Sequence, residues 1–183
     1  MKRSADLFLA LILLLPALLV CLPAAFLIWL EIRASPIFIQ VRVGRGQEPF
    51  KILKLRTMNV DTGDHASHIV DSSRILRSGR FIRKAKLDEL PQILNVLLGD
   101  MSFVGPRPCL PSQSELIEAR NQVGIYELVP GITGPSQLAG LDMSQPKKLA
   151  KMDATYRGKW SLSRDLKIIF HTFTARGSGD AAI

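Results

Sequence analysis

The sequence has few of the residues that mark several common protein classes. Its 183 residues include only two cysteines, Cys21 and Cys109, and no C-x-x-C spacing, which argues against a disulfide-rich secreted scaffold and a zinc ribbon. No G-x-G-x-x-G or P-loop is present to bind a nucleotide. The length excludes a multidomain machine and a polytopic transporter, and a 47% hydrophobic content excludes a disordered chain. Acidic residues are also scarce, because 16 Asp and Glu face 24 Lys and Arg, a net charge of +8.

One long apolar run stands near the start of the chain. Residues 7–30 carry no charge between Asp6 and Glu31. As a helix, with a rise of about 1.5 Å per residue, this run is long enough to cross a bilayer. It is too long for the apolar part of a signal peptide, and no A-x-A-like cleavage site follows, so it is predicted to be a membrane segment.

The flanks of this run favour an arrangement that does not cross the membrane. Lys2 and Arg3 precede it, and six more cations follow between residues 33 and 56. Because positive flanks stay in the cytoplasm, both ends are expected on the same side. Pro16 and Pro23 interrupt the run, so a re-entrant helix hairpin that breaks near Pro16 is predicted, with a kinked spanning helix as the alternative.

The next segments predict a small β-hairpin and then a basic helix. Alternating β-branched residues over 37–43, turn residues, and a second run over 50–58 are typical of two antiparallel strands, with Lys54 and Arg56 on one face. Residues 74–86 hold six cations, among them Arg83, which suit nucleic acid, anionic lipid or a phosphorylated substrate. The membrane segment favours the last two, and no nucleic-acid partner is expected. Between the predicted hairpin and the basic segment, the stretch that contains His65 and His68 is either a metal-binding loop or a polar loop.

The segment with the most information is residues 87–99. Apolar residues at helical spacing, Pro91 suited to a first turn, and Gly99 at a C-terminal position predict a helix that starts near Asp88. Asp88 and Glu89 would then lie at its N-terminus, where the helix dipole keeps a carboxylate ionised. Asp88 is therefore a candidate nucleophile or Mg²⁺ ligand, and a simple helix cap is the alternative reading of the pair.

A proline-flanked arginine follows in Gly105-Pro106-Arg107-Pro108. The two prolines restrict the backbone on both sides, which lowers the entropy lost when the Arg107 guanidinium grips an anion. A guanidinium matches the oxygens of phosphate bidentately. Four features together indicate phosphoryl chemistry on a lipid substrate: an ionised carboxylate, a rigid arginine, the cation-rich segment at 74–86 and a membrane segment.

The chain resembles the bacterial sugar transferases, specifically the small monotopic phosphoglycosyl transferases. The resemblance runs from residue 2 to about 176 and is carried by the segments KLRTM at 54–58, LDELPQ at 87–92, NVL at 95–97, GDMSFVGPRP at 99–108 and PGITG at 130–134. It implies an α+β, membrane-attached single domain on the cytoplasmic face of the bacterial inner membrane. Residues 1–32 would form the re-entrant helix, 33–176 the catalytic domain with a β-hairpin and interfacial amphipathic helices, and 177–183 a flexible tail.

The resemblance also implies a reaction and its residues. Such enzymes transfer a phospho-sugar from a UDP-sugar to polyprenol phosphate and release UMP, as the first step of glycan assembly that downstream glycosyltransferases continue. Asp88 would be the nucleophile that forms a covalent phospho-sugar intermediate and binds Mg²⁺, with Glu89 as its partner. The substrate-binding residues would be Arg107, Arg83, Lys54, Arg56 and Gln137. The alternatives are a non-catalytic lipid-binding assembly module, a degenerate paralogue and a hydrolase of the nucleotide sugar.

Three positions depart from the family pattern. Leu15 precedes Pro16 where the family usually has serine, and Val129 and Leu141 stand where arginines are common. Two anion-binding side chains are thus missing near the expected nucleotide-sugar site, which leaves the identity of the donor open.

Overall fold

The computed structural model describes residues 1–62, 72–158 and 160–174 of the chain. The loop with His65 and His68 and the predicted tail at 177–183 lie outside these residues. The helices and strands are these: α1 Lys2–Ile32, β1 Ile37–Val43, β2 Pro49–Leu55, α2 Arg77–Lys84, α3 Gln92–Leu98, β3 Ser102–Val104, α4 Ser114–Gln122, β4 Gly131–Thr133, α5 Pro135–Leu138, α6 Pro146–Ala154 and α7 Leu162–Thr174. The α+β class is confirmed.

The apolar run forms one helix, α1, of 31 residues. The helix continues through both prolines, so the break near Pro16 into two arms is not seen. An interior proline removes one backbone hydrogen bond and favours a kink, but the remaining bonds and the packing of the flanking turns can hold the helix together. It ends at Arg33, which adopts a left-handed conformation with φ 51°.

Only one narrow stripe of α1 is buried. Asp6, Ala10, Ala17, Ala24 and Ile28 form this stripe, at steps of four or seven residues, and pack on the rest of the domain. The opposite face exposes large apolar side chains, among them Phe8, Leu11, Leu15, Leu19, Leu22, Phe26 and Leu27. The helix is long and apolar enough to cross a membrane by composition, yet its small residues hold it against the domain along its length.

The predicted hairpin is confirmed. β1 and β2 pair antiparallel, from Ile37 opposite Leu55 to Val43 opposite Pro49. The free edge of β2 is covered by Asn95 of α3, whose Oδ1 accepts the Leu53 amide at 3.0 Å and whose Nδ2 donates to the Lys51 carbonyl at 2.8 Å. This side chain fixes β2, which carries Lys54, against α3, and the pair is too small to be stable without such a support.

The core lies between α1, α3, β2, β3 and α7, and Tyr156, which follows α6, also belongs to it. Within it β3 and β4 form a short parallel ladder, with Ser102 opposite Gly131 and Val104 opposite Thr133. The segments that follow the two strands are thereby held side by side. At this crossing a side chain on Gly105 or Gly131 would overlap the other segment's backbone, which is why both positions are glycine.

Candidate active site

Asp88 and Glu89 lie in a tight turn and not in the first turn of a helix. Lys86 adopts a left-handed conformation after α2, Leu87–Glu89 form a single 3-10 turn, and α3 begins only at Gln92, with Pro91 as its cap residue. The predicted helix start near Asp88 is therefore wrong by about one turn. The reason is that Pro91 has no N–H to donate, so the chain tightens before it and enters the helix after it. The helix-dipole argument for Asp88 is lost with this correction.

Glu89 is held by two cations. Its Oε1 accepts a hydrogen bond from Arg107 Nη2 at 2.6 Å and lies 3.9 Å from Lys54 Nζ. Burial raises the pKa of Glu89, but the Arg107 and Lys54 charges together lower it further, so the net shift is below its ordinary value. Glu89 is thus an ionised, paired carboxylate at neutral pH.

Asp88 has a different environment. Burial, and next the Glu89 charge, raise its pKa from 3.8 to about 6, against the opposing charges of Lys54, Arg107 and Arg83. In the described part of the chain no side chain donates a hydrogen bond to this carboxylate. Two adjacent carboxylates in unequal environments are the usual basis for a division of roles between them. With a pKa of about 6 the Asp88 carboxylate is mostly ionised at pH 7, but its pKa is raised, whereas a helix dipole would lower it.

Lys54 completes the charged cluster. Burial, and next the Arg107 charge, lower the pKa of its ammonium to about 8, while Glu89 raises it. Lys54 therefore keeps most of its charge at pH 7 and is close to losing it. The cluster of Asp88, Glu89, Lys54, Arg83 and Arg107 collects five of the predicted site residues.

The stiff support predicted for Arg107 is present. The Gly105 amide donates to the Thr133 carbonyl at 2.9 Å, and the Gly131 amide donates to the Pro106 carbonyl at 3.0 Å. The Arg107 carbonyl itself accepts a hydrogen bond from Arg120 Nη1 at 2.8 Å. The loop is therefore pinned at three points, and the guanidinium extends from a fixed backbone.

Sequence reasoning missed the buried network behind this loop. Arg120 is 2% exposed and pairs with Asp153, which is fully buried, at 2.6 Å, and Ser136 also donates to Asp153. Burial raises the pKa of Asp153 against the lowering effect of Arg120 and Ser136. A buried pair of this kind is recognisable only once the fold brings the two helices together, because the sequence shows two ordinary polar helices.

The two remaining predicted residues, Arg56 and Gln137, have other surroundings. Arg56 Nε donates to the Ser35 carbonyl at 2.9 Å, and its guanidinium lies 5.5 Å from the Phe38 ring, so the structure does not bring it into the cluster. Gln137 lines a small cavity next to Arg107, and among the residues that the structure describes its buried Oε1 has no hydrogen-bond partner. Leu141, at one of the expected arginine positions, lines the same cavity.

In the charged cluster, Asp88 is the carboxylate that a metal ion could reach. Within residues 1–62, 72–158 and 160–174, no three His, Cys, Asp or Glu side chains come together as a metal site. Glu89 is engaged by Arg107, which leaves Asp88. Mg²⁺ is often bound in proteins by one or two carboxylates, with waters and substrate phosphates as its other ligands. The residues therefore fit an Mg²⁺ ion that arrives with a diphosphate, and not a preformed metal cage.

The comparison with known protein families decides the class of this site. The sequence profile described as bacterial sugar transferase matches residues 1–178. The chain belongs to this family. The match confirms the resemblance seen in the sequence motifs and, with it, an enzyme of the sugar transferase class.

Curated members of the bacterial sugar transferase family are clearly similar. The UDP-glucose:undecaprenyl-phosphate glucose-1-phosphate transferase of Caulobacter vibrioides is 42% identical over 81% of this chain and 59% of its own length. The enzyme of the same name from Escherichia coli is 35% identical over 94% of the chain and 39% of its own length. The uncharacterized sugar transferase EpsL of Bacillus subtilis is 38% identical over 92% of the chain and 83% of its own length. The chain thus spans 59% of the Caulobacter enzyme and 39% of the Escherichia enzyme, less than two thirds of either.

Proposed function

We propose that this protein transfers a phospho-sugar from a UDP-sugar to polyprenol phosphate and releases UMP. The observation that carries the proposal is the unpaired, partly buried Asp88 carboxylate beside the cations that hold Glu89. The family membership and the names of the Caulobacter and Escherichia relatives support the same donor and acceptor classes.

The first step is an attack by Asp88 on the sugar-proximal phosphorus. A bond forms between a carboxylate oxygen and phosphorus, the bond to the bridging oxygen breaks, and its electron pair leaves with UMP. The aspartyl phospho-sugar that results allows one small site to treat two bulky substrates in turn. Arg107, Arg83 and Lys54 supply positive charge where the phosphate oxygens gather, which stabilises the transition state.

The second step returns Asp88 to its free form. A phosphate oxygen of the polyprenol phosphate attacks the same phosphorus, and the bond to Asp88 breaks. Glu89 accepts the remaining proton of the attacking phosphate. Because Arg107 holds Glu89 in the free site, the movement of this guanidinium onto a substrate phosphate would release Glu89 to act as that base.

An Mg²⁺ ion bound by Asp88 and the diphosphate would supply positive charge at the phosphate oxygens and lower the repulsion that the carboxylate meets. The ion is part of the proposal, and Asp88 is the residue of this chain that would hold it.

We further propose that α1 enters the cytoplasmic leaflet of the inner membrane without crossing it. Lys2 at one end pairs with Asp165 at 2.8 Å, and Glu31 at the other end accepts hydrogen bonds from Arg77 and Ser78. Both ends are therefore tied to one domain, and a spanning helix would have to separate them by the full bilayer. α1 is one continuous helix through Pro16 and Pro23, and any bend that seats it in one leaflet is part of this proposal.

The test is UMP release by purified protein with Mg²⁺, undecaprenyl phosphate and a panel of UDP-sugars. The expected result is UMP from one donor, multiple turnovers only with the lipid, and none from the Asp88→Asn variant. A matched control is Asp61→Asn, which changes an exposed carboxylate. UMP release that needs no lipid would indicate a hydrolase. If folded, membrane-bound protein releases no UMP from any donor, the degenerate or assembly-module alternative is favoured. Val129 and Leu141 would then explain the lost donor binding.

A further inference from the structure

The polar residues at the two ends of α1 bind the backbone of the catalytic domain. Arg3, Asp6 and Glu31 delimit the apolar run, and in sequence they look like ordinary interfacial charges. In the structure each one satisfies open backbone groups of a segment that leads to the charged cluster.

Asp6 makes the most direct of these contacts. It is 7% exposed, and its carboxylate accepts hydrogen bonds from Ser102 Oγ at 2.9 and 3.0 Å and from the Phe103 amide at 3.2 Å. Both partners belong to β3, whose next residues form the loop of Arg107. A charge this deeply buried is unfavourable unless its hydrogen bonds are made, so the contact fixes α1 and β3 relative to each other.

The other two residues act on the helices of the cluster. Arg3 donates to the carbonyls of Val96 and, at 2.9 Å, Leu97, which lie in the last turn of α3. Glu31 accepts the amides of Arg77 at 2.7 Å and Ser78 at 3.1 Å at the start of α2, which has no cap from its own N-cap side chain. These helices flank the turn of Asp88 and Glu89.

We propose that Asp6 is a positioning residue for the phospho-sugar transfer and that α1 belongs to the active-site scaffold as well as to the membrane attachment. The inference rests on the proposed function for its kinetic part only. Asp6 holds β3, the β3–β4 ladder holds the loop, and the loop holds Arg107 against Glu89. Loss of the Asp6 carboxylate leaves the Phe103 amide without this acceptor and leaves the Ser102 hydroxyl with the Val104 carbonyl alone, at 3.1 Å, so β3 is no longer held by α1 at this point.

The experiment compares Asp6→Ala, Asp6→Asn and Leu19→Ala with the wild type, each in the same detergent micelles. Asparagine keeps an oxygen that can accept both hydrogen bonds, whereas alanine keeps none. Leu19 lies on the same helix, is 66% exposed and faces away from the domain. The first readout is hydrogen exchange of the Phe103 amide by mass spectrometry, which needs no substrate, and the second is kcat/KM for UMP release.

In the Asp6→Ala variant the Phe103 amide is expected to exchange at least tenfold faster and kcat/KM to fall at least tenfold. The Asp6→Asn variant restores both to within about threefold, and Leu19→Ala changes neither. If the Asp6→Ala and Asp6→Asn variants are equally impaired in amide exchange and kcat/KM, position 6 needs a charge and not a hydrogen-bond acceptor. That result overturns the proposal. Unchanged exchange in Asp6→Ala also overturns it.

A second variant covers the case in which Asp6→Ala does not fold. Ser102→Ala removes one partner of the same carboxylate with a small change in volume, while the Phe103 amide keeps its acceptor. It should therefore raise exchange at Phe103 by less than Asp6→Ala would and lower kcat/KM in the same direction. Unchanged exchange together with unchanged kcat/KM in Ser102→Ala then counts against the proposal. If the wild type releases no UMP, the proposed function fails, while the exchange data still decide whether Asp6 holds β3.

Discussion

The Asp88→Asn variant is expected to be more stable than the wild type although it has no turnover. Burial and the Glu89 charge raise the pKa of Asp88 from 3.8 to about 6. At 1.36 kcal/mol for each pKa unit, ionisation of Asp88 at neutral pH costs the folded protein about 3 kcal/mol. Asparagine has nearly the same shape and no charge, so it removes this cost.

The sign of the effect sets its pH dependence. The folded protein binds the Asp88 proton more tightly than the unfolded chain does, because the pKa is raised on folding. The cost is therefore absent where Asp88 is protonated in both states, appears as the pH rises above 3.8, and is complete above about 6. The stability gained in Asp88→Asn is about 3 kcal/mol at pH 7.5 and about 1 kcal/mol at pH 4.5.

The assay is thermal unfolding of the purified protein in detergent micelles at these two pH values, with UMP release measured beside it. For a chain of this size, about 3 kcal/mol corresponds to a rise in Tm of roughly 6–12 °C. The exposed Asp61→Asn variant should leave Tm within about 1 °C, because surface substitutions change stability little. A Tm that does not rise in Asp88→Asn, or a rise of equal size at both pH values, would refute the claim that the active site holds a destabilised charge.

Four further outcomes follow from the same contacts. The wild-type kcat/KM for UMP release should rise through a pH of about 6 as Asp88 loses its proton and fall through about 8 as Lys54 loses its charge, and a flat profile between pH 5 and 9 would contradict both assignments. Arg107→Lys keeps the charge but loses the planar fork, so kcat/KM should fall roughly 10- to 100-fold while Tm changes little; unaltered kinetics would exclude Arg107 from phosphate binding. Asp153→Ala leaves the buried Arg120 without its partner and should lower stability by about 3–5 kcal/mol in denaturant titrations, whereas Glu127→Ala, at an exposed ion pair, should cost under about 1 kcal/mol. Reversing the exposed cations Arg80 and Lys84 of α2 to glutamate should weaken sedimentation with phosphatidylglycerol vesicles and leave binding to phosphatidylcholine vesicles unchanged, and equal loss from both would rule out an electrostatic role for α2.

The local parts of the site could be predicted because each depends on a few consecutive residues whose chemistry restricts the backbone. Prolines on both sides of Arg107 restrict the backbone whatever the fold is, and the structure confirms the fixed loop. β-branched alternation gave the hairpin, and its second strand ends at Leu55, a few residues earlier than predicted. The start of α3 was placed one turn early because propensity does not distinguish a proline that begins a helix from a proline that closes a 3-10 turn before it.

The contacts that organise the site could not be predicted because they join distant parts of the chain. Arg120 meets Asp153 across 33 residues, and Asp6 meets Ser102 across 96. Each partner is unremarkable in its own helix or strand, and only the packed fold makes it buried and paired. The roles of Asp6 and Glu31 were hidden for the same reason, since residues at the ends of an apolar run are expected to face the headgroups or water.

The ion pair between Lys2 and Asp165 joins residues that are translated at very different times. The two residues are 163 positions apart, so the first turn of α1 leaves the ribosome long before the helix that binds it has been translated. At roughly 5–20 residues per second, that interval is about 8–30 s. During this time the apolar helix has already been made, but Lys2 has no Asp165 with which to pair. With the membrane attachment proposed above, α1 would reach the lipid before α7 is translated, and α7 then supplies the Asp165 carboxylate that pairs with Lys2.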